Sequence, residues 1–362
     1  MVAALIIARF IAGELARGWG IVIVVLSALF GLLALLDEVD SITARYTFVD
    51  ALRYVIYTTP QRILELSPVI AALGTVVAFA QLSRNSELVI IRTAGISVND
   101  VLRLCAFPTV VLMLTIGVAG EWVVADLHQQ AETRKAVLRS GNLNLLKEGG
   151  LWASADKRYF NVGNLKLGRI PQAISVFEFD EDGALSRVIM ADEAELVGKR
   201  RWRLLNATVK KWQAGKVSTQ LTPSLELDEF WSENELPTLG RSLAAMAPST
   251  LYEYAAYLEA TGQPPAGVSL ALWQRLSAPF AAAAMVLLSA VLGLRFGSTR
   301  NAEFGLRVFA ATVIAVGFYL MSQIVHTSGQ LLGLSAAMTV CIPLAVITTC
   351  GVLLTFRNAR LG

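Results

Sequence analysis

Three apolar stretches of membrane length, a polar block of about 145 residues, and three more apolar stretches divide this 362-residue chain. No feature constrains the fold more. A bilayer core of ~30 Å is crossed by ~20 apolar residues in an α-helix. Six stretches qualify, at roughly 18–36, 64–82, 103–120, 274–294, 306–325 and 333–356. The expected fold is therefore a helical membrane bundle of 3 + 3 spans with one inserted domain. Residues 1–123 hold an N-terminal interfacial segment and the first three helices, 124–268 the inserted domain with helical connectors, and 269–362 the last three helices.

Composition agrees with that division. Hydrophobic residues make up 55% of the chain and charged residues only 16%, far from a soluble average. The net charge of +3 is too small to point to a nucleic acid. All eight lysines lie between Lys135 and Lys216, and no charged side chain occurs from Val308 to Phe356. Cys105, Cys341 and Cys350 sit in apolar stretches, where they read as small buried residues rather than a disulfide framework. Arg9 and Arg17 precede an apolar run longer than a signal-peptide core, so the run reads as a retained helix.

Basic residues set the orientation. Arg9, Arg17, Arg84, Arg92, Arg295, Arg300, Arg357 and Arg360 fall on one side of the bundle. That side is expected to be cytoplasmic and to hold both termini. The inserted block then lies across the membrane, in the periplasm of a bacterium.

Within the block, residues 121–145 read as a polar helical continuation of the third span. Six runs then alternate like strands: 151–153, 158–163, 173–179, 184–197, 201–212 and 216–222. Asp182-Gly183 and Ala214-Gly215 mark hairpin turns between them. Such evenly spaced strands suggest a β-sandwich or jelly roll. Either alternate set can face inward, since both contain apolar residues. A helix over 250–261 is expected to bring the chain back, with Thr250 and Glu253 at capping-box spacing and Gly262 at its end.

No nucleotide-binding loop of the G-x-x-x-x-G-K-[ST] type is present, so ATP hydrolysis would need a separate subunit. His128 and His326 stand apart, without ligand-spaced companions, and no metal site is expected. The sharpest local signal is the cytoplasmic loop Ser83–Ser97. Asn85 can cap a short helix whose first turn holds Glu87, and Gly95 can end it. Leu88, Ile91 and Arg92 then share a face. Two readings fit: an amphipathic connector at the interface, or a peg that docks into a soluble partner. Asp37, Glu38 and Asp40 crowd the outer end of the first span, as an exposed boundary or as the lining of a substrate path. Ser322 and Gln323 near the end of the fifth span are interior polar glue or face a passing substrate.

The 3 + block + 3 layout, the Ser83–Ser97 loop, Gly120-Glu121-Trp122-Val123, Gly150-Leu151-Trp152-Ala153 and Gly317-Phe318-Tyr319-Leu320 together resemble the YjgP/YjgQ (LptF/LptG) permeases of lipopolysaccharide export. The likeness covers essentially the whole chain, and the Asn-Ser-Glu-Leu loop favours the LptG branch over the LptF branch. It implies a permease that does no catalysis and carries no cofactor of its own. ATP and Mg would reside on an LptB-like ATPase dimer. A second, LptF-like permease would complete the membrane unit, and LptC- and LptA-like periplasmic proteins would receive the lipid.

By the same likeness, Glu87, Leu88, Ile91, Arg92 and Gly95 form the coupling helix. Phe160, Val162, Phe177 and Phe179 would line a lipid path in the strand domain. Some members carry lysines near the outer end of span one that meet lipid phosphates. Here Ala34 and Asp40 occupy that neighbourhood. A lipid headgroup is therefore expected either to contact Arg62, Arg134 and Lys135 directly or to bring divalent cations that bridge it to Asp37 and Asp40, and Phe318 and Gln323 complete the expected substrate set. A lipoprotein-release permease would instead carry its block after the first span. A membrane-anchored structural protein would need no ATPase-docking loop.

Overall fold

The computed structural model describes residues 2–43, 45–140, 150–155, 158–166, 170–180, 183–197, 201–213, 216–227, 243–260, 264–295 and 301–359. The first half of the bundle comprises α1 (Val2–Val39), α2 (Phe48–Glu65), α3 (Ser67–Arg84), α4 (Glu87–Thr93) and α5 (Val98–Val118). A π-helical turn, Ala119–Val124, carries α5 into α6 (Ala125–Ser140). Strands β1 (Leu151–Ala155), β2 (Arg158–Lys166), β3 (Ile170–Phe179), β4 (Leu185–Leu196), β5 (Trp202–Gln213) and β6 (Lys216–Leu227) follow. A short 3-10 turn, Leu243–Ala245, leads into α7 (Pro248–Ala260), α8 (Ala266–Arg295), α9 (Asn301–Leu331) and α10 (Ala336–Ala359).

Five segments are long and apolar enough to cross a membrane among the described residues: Ile6–Val39, Ser67–Arg84, Val98–Lys135, Ala266–Leu294 and Ala336–Phe356. The expected fifth span, 306–325, falls inside α9, which is helical for 31 residues. The break expected at 326–330 is not there. The helix continues to Leu331, and the turn comes at Leu332–Ser335, where Gly333 adopts a φ of +67°. Gly329 serves packing instead of turning. A Cβ on it would lie 2.6 Å from the Thr339 side chain on α10. The second span also begins differently from the expectation. Leu66 separates α2 from α3, and Pro68 sits in the first turn of α3, where its missing N–H costs nothing.

The bundle is built around α3 and α8, whose small residues let neighbours approach. Gly18 of α1 meets Gly74 of α3 so closely that a Cβ on Gly18 would lie 2.2 Å from the Gly74 carbonyl oxygen. Trp19 then lays its ring over Gly74, and its Nε1 donates to Thr75 Oγ1 at 3.1 Å. Gly293 of α8 similarly admits Phe79 of α3. One continuous apolar core results, with Ile11, Leu15, Phe79, Leu82, Met285 and Val286 fully buried.

The six strand-like runs form six strands, and these hydrogen-bond in sequence order as one antiparallel sheet. Among the described residues the strand order is a simple meander within one sheet. The β3–β4 turn is closed by the Asp180 N–H to the Ala184 carbonyl at 2.9 Å, with Gly183 at φ +77°. Asp182, the Ala214-Gly215 turn and Gly262 lie outside the described residues. The sheet has one apolar face, a cluster that includes Phe160, Val162, Ile174, Val176, Ile189 and Leu204. Its other face carries Trp152 stacked on Phe177 and Tyr159 set edge-on to Phe179. The return helix starts two residues earlier than expected, at Pro248, so Thr250 lies inside α7 and does not cap it.

Candidate functional site

A cavity of about 870 Å³ opens among α2, α3, α5, α8, α9 and α10, on the side where the 3-10 turn and α7 join the bundle. Much of its wall is apolar, including Leu64, Val69, Met113, Ile116, Phe280 and Phe318. The polar groups gather toward that joined side. Gln61 Nε2 donates to Glu65 Oε1 at 2.8 Å, and Gln274 Nε2 lies 2.9 Å from His326 Nδ1. Two polar atoms of its wall, Gln61 Oε1 and Ser322 Oγ, are buried without a hydrogen-bond partner. Phe318 and Gln323, named from sequence, both line this cavity, with Phe318 buried and Gln323 exposed. A chamber with greasy walls and a polar rim suits an amphiphile better than a small polar solute.

The remaining substrate residues sit elsewhere, and most are already engaged. Lys135 of α6 places its ammonium 2.6 Å and 2.8 Å from the two carboxylate oxygens of Glu38 on α1. The same nitrogen lies 4.5 Å from the centre of the Tyr54 ring on α2, within cation–π range. Arg134 pairs with Asp50 at 3.3 Å, and Arg62 donates to the Phe30 carbonyl of α1 at 3.1 Å. The basic residues thus knit α1, α2 and α6 together, and Arg134 and Lys135 line a second, smaller cavity of about 480 Å³ with Tyr46, Tyr54 and Tyr57.

Of the acidic trio, Asp37 and Asp40 are exposed, while Glu38 is 6% exposed. The exposed boundary, one of the two expectations for this trio, fits Asp37 and Asp40 but not the buried Glu38. Burial, and next the adjoining Glu38 carboxylate, push the Tyr46 hydroxyl above its ordinary pKa. Asp50 is held below the usual carboxylate range. The Thr47 hydroxyl and N–H donate to it first, and Arg134 adds its charge.

At the other end of the bundle, α4 begins at Glu87 and is closed by Gly95 at φ +83°. Asn85 does not cap the helix with its side chain; its amide donates to Glu87 Oε1 at 3.4 Å. Leu88 and Ile91 turn inward and belong to the bundle core. Val89 and Ile90 are the apolar residues left outside, at 47% and 65% exposure. The Arg92 side chain lies outside the described residues. The face available to a partner is therefore Glu87, Val89 and Ile90. Leu88 and Ile91, the i and i+3 members of the sequence pattern, thus mark the face that anchors α4, since a short amphipathic helix on a membrane bundle buries its apolar stripe.

The four residues assigned to a lipid path divide between the two sheet faces. Phe160 and Val162 are on the apolar face; Phe177 and Phe179 are on the opposite one. Two charged residues without an assigned role also emerge. Glu121, in the π turn, accepts from the Ser249 hydroxyl and from the Ser249 N–H at 3.3 Å. Arg275 of α8 donates to the carbonyls of Leu243 at 3.1 Å, Ala244 at 2.7 Å and Met246. A lone arginine at the head of an apolar run is a signal that the sequence did carry.

Comparison with known proteins agrees with this architecture. The chain is 27% identical over 308 residues to the lipopolysaccharide export system permease protein LptG of Escherichia coli K12, covering 83% of each chain. It is 25% identical over 336 residues to the protein of that name from Haemophilus influenzae, covering 90% of this chain and 91% of that one. The family model for the lipopolysaccharide export system permease LptF/LptG matches residues 9–357, and the chain belongs to that family.

Proposed function

We propose that this chain is the LptG-side permease of a lipopolysaccharide exporter in the bacterial inner membrane. The family match over residues 9–357 carries this reading. In it, six spans in a 3 + 3 order cross the membrane, both termini are cytoplasmic, and the strand domain stands in the periplasm as one jelly-roll-like link of a bridge. An LptF-like permease completes the membrane unit, and LptC- and LptA-like proteins continue the bridge. The chain hydrolyses nothing. An ATPase dimer holding ATP and Mg docks on α4 through Glu87, Val89 and Ile90.

The geometry supports a division of labour along the route. The 870 Å³ cavity, with its apolar wall and polar rim, takes the lipid from the bilayer. The sheet face bearing Phe160, Val162, Ile174 and Val176 takes its acyl chains next. Aromatic residues Phe177 and Phe179 of the opposite face are outside that path. The Lys135–Glu38 and Arg134–Asp50 pairs stand at the separate cavity of about 480 Å³, and a phosphorylated headgroup that binds there must compete with those carboxylates for the two cations.

The test is reconstitution of the complex in vesicles with purified lipopolysaccharide. ATP-dependent release to a periplasmic acceptor is expected. A photoreactive residue scanned along 158–163 and 173–179 should label lipid at 160, 162, 174 and 176 and skip the positions between. Release without any label on the sheet would remove the path, and no release with either permease partner would remove the export reading.

A further inference from the structure

On its way from the sheet to α8 the chain passes through the 3-10 turn and α7, and this segment is gripped at both of its electrostatic poles. Carbonyls left over at the end of a helical turn carry partial negative charge, and the first N–H groups of a helix carry partial positive charge. Arg275 reaches from α8 to three carbonyls of the 243–246 turn. Glu121 reaches from the π turn to the N–H and hydroxyl of Ser249 in the first turn of α7. Both side chains also line the 870 Å³ cavity, as do Leu243, Ala244 and Pro248 of the gripped segment itself. The start of α7 is thus part of the cavity wall.

Its far end belongs to another body. Leu251, Ala255 and Leu258 pack α7 onto Val268 and Leu272 of α8, while Tyr257 joins the apolar cluster of the sheet. One rigid helix of 13 residues therefore touches the cavity at one end and the sheet's apolar face at the other. A π turn contains one residue more per turn than an α-helix and is a known place for a helix to change register. Return of Ala119–Val124 to α pitch would swing Glu121 by about 100°, the angular step of one residue at 3.6 per turn, and free Ser249.

We propose that Glu121 and Arg275 are positioning residues for export. They hold α7 across the mouth of the cavity so that Tyr257 keeps the sheet's apolar face against that mouth, and the lipid's acyl chains pass from one to the other without crossing water. The proposal rests on the export reading and adds the element that joins its two sites.

The experiment uses the reconstituted complex with its ATPase, second permease and purified lipopolysaccharide. A photoreactive phenylalanine analogue at Phe318 reports cavity loading, and one at Ile174 reports arrival on the sheet. In Arg275→Met and Glu121→Ala the ratio of sheet label to cavity label is expected to fall about tenfold, as loss of charge-assisted hydrogen bonds does. Arg275→Lys, a single ammonium in place of a fork, should restore part of it. Ser249→Ala and Tyr257→Ala lie outside the bundle core and decide the matter if the charge variants do not assemble. Each should lower the same ratio while cavity label persists. Equal loss of both labels, or an unchanged ratio in these two variants, overturns the proposal. Absence of label at Phe318 in the unaltered complex would instead sink the export reading itself.

Discussion

Lys135 and Glu38 define what single residues do here. Their side chains are 23% and 8% exposed, so each charge depends on the other. Removing one partner of a buried pair leaves the second uncompensated, at about 3–5 kcal/mol, whereas removing both is far milder. Glu38→Gln and Lys135→Gln should each lower the thermal midpoint in detergent, and the double variant should recover much of the loss. Additive losses would mean that the pair is not coupled. Asp50 gives a pH signature. Its folded-state pKa is depressed, so its contribution is present above the unfolded value of about 3.9 and is lost as pH falls through the folded one. The stability difference between the natural chain and Asp50→Asn should therefore hold at neutral pH and shrink below about pH 4. A difference that instead grew on acidification would contradict the Thr47 and Arg134 contacts. Sequence alone placed Lys135, Arg134 and Glu38 at this end of the bundle, but did not pair them. Glu38 is separated from Lys135 by nearly a hundred positions, and nothing in local spacing joins them.

Elements were legible wherever the pattern was local. The strands follow from period-two alternation, and the helical extension beyond the third span follows from its composition. What local pattern does not carry is which glycines pack and which turn. Gly329 reads as a turn beside Ser328 and Gln330, yet it is spent on contact with Thr339. Gly18 and Gly20 look equivalent in sequence. A Cβ on Gly18 would strike the Gly74 carbonyl, while nothing lies within 4 Å of one on Gly20. Gly18→Ala and Gly74→Ala should each force α1 from α3 and destabilise by about 1–3 kcal/mol, the usual range for overpacking. Gly20→Ala should be neutral or slightly stabilising, since alanine is the better helix former. Similar midpoints for Gly18→Ala and Gly20→Ala would show that α1 does not approach α3 at Gly18.

At the scale of the whole molecule, the question is how an event on one side of the membrane reaches the other. α4 follows α3 after two residues, and Leu88 and Ile91 of α4 share a core with Phe79 and Leu82 of α3 and Met285 of α8. The 18 residues of α3 span about 27 Å at 1.5 Å per residue, and Pro68 and Val69 at its far end line the cavity. A packed helix thus connects α4 directly to the cavity proposed for the lipid, with no need for a chain of loops. This arrangement separates anchoring from docking on a helix of seven residues. Leu88→Ala deletes buried volume and should lower stability by about 2–5 kcal/mol. Val89→Ala and Ile90→Ala remove exposed side chains and should leave the midpoint within about 0.5 kcal/mol, as surface changes do. Their effect belongs at the partner: with Glu87→Ala, they should weaken retention of the ATPase during purification or leave its hydrolysis running without lipid release. Co-purification and a hydrolysis-to-release ratio read both. If Ile90→Ala and Glu87→Ala keep the ATPase bound and the ratio unchanged, the coupling surface lies elsewhere on the cytoplasmic side. If Leu88→Ala weakens retention without lowering the midpoint, the inward and outward faces of α4 have been assigned the wrong way round.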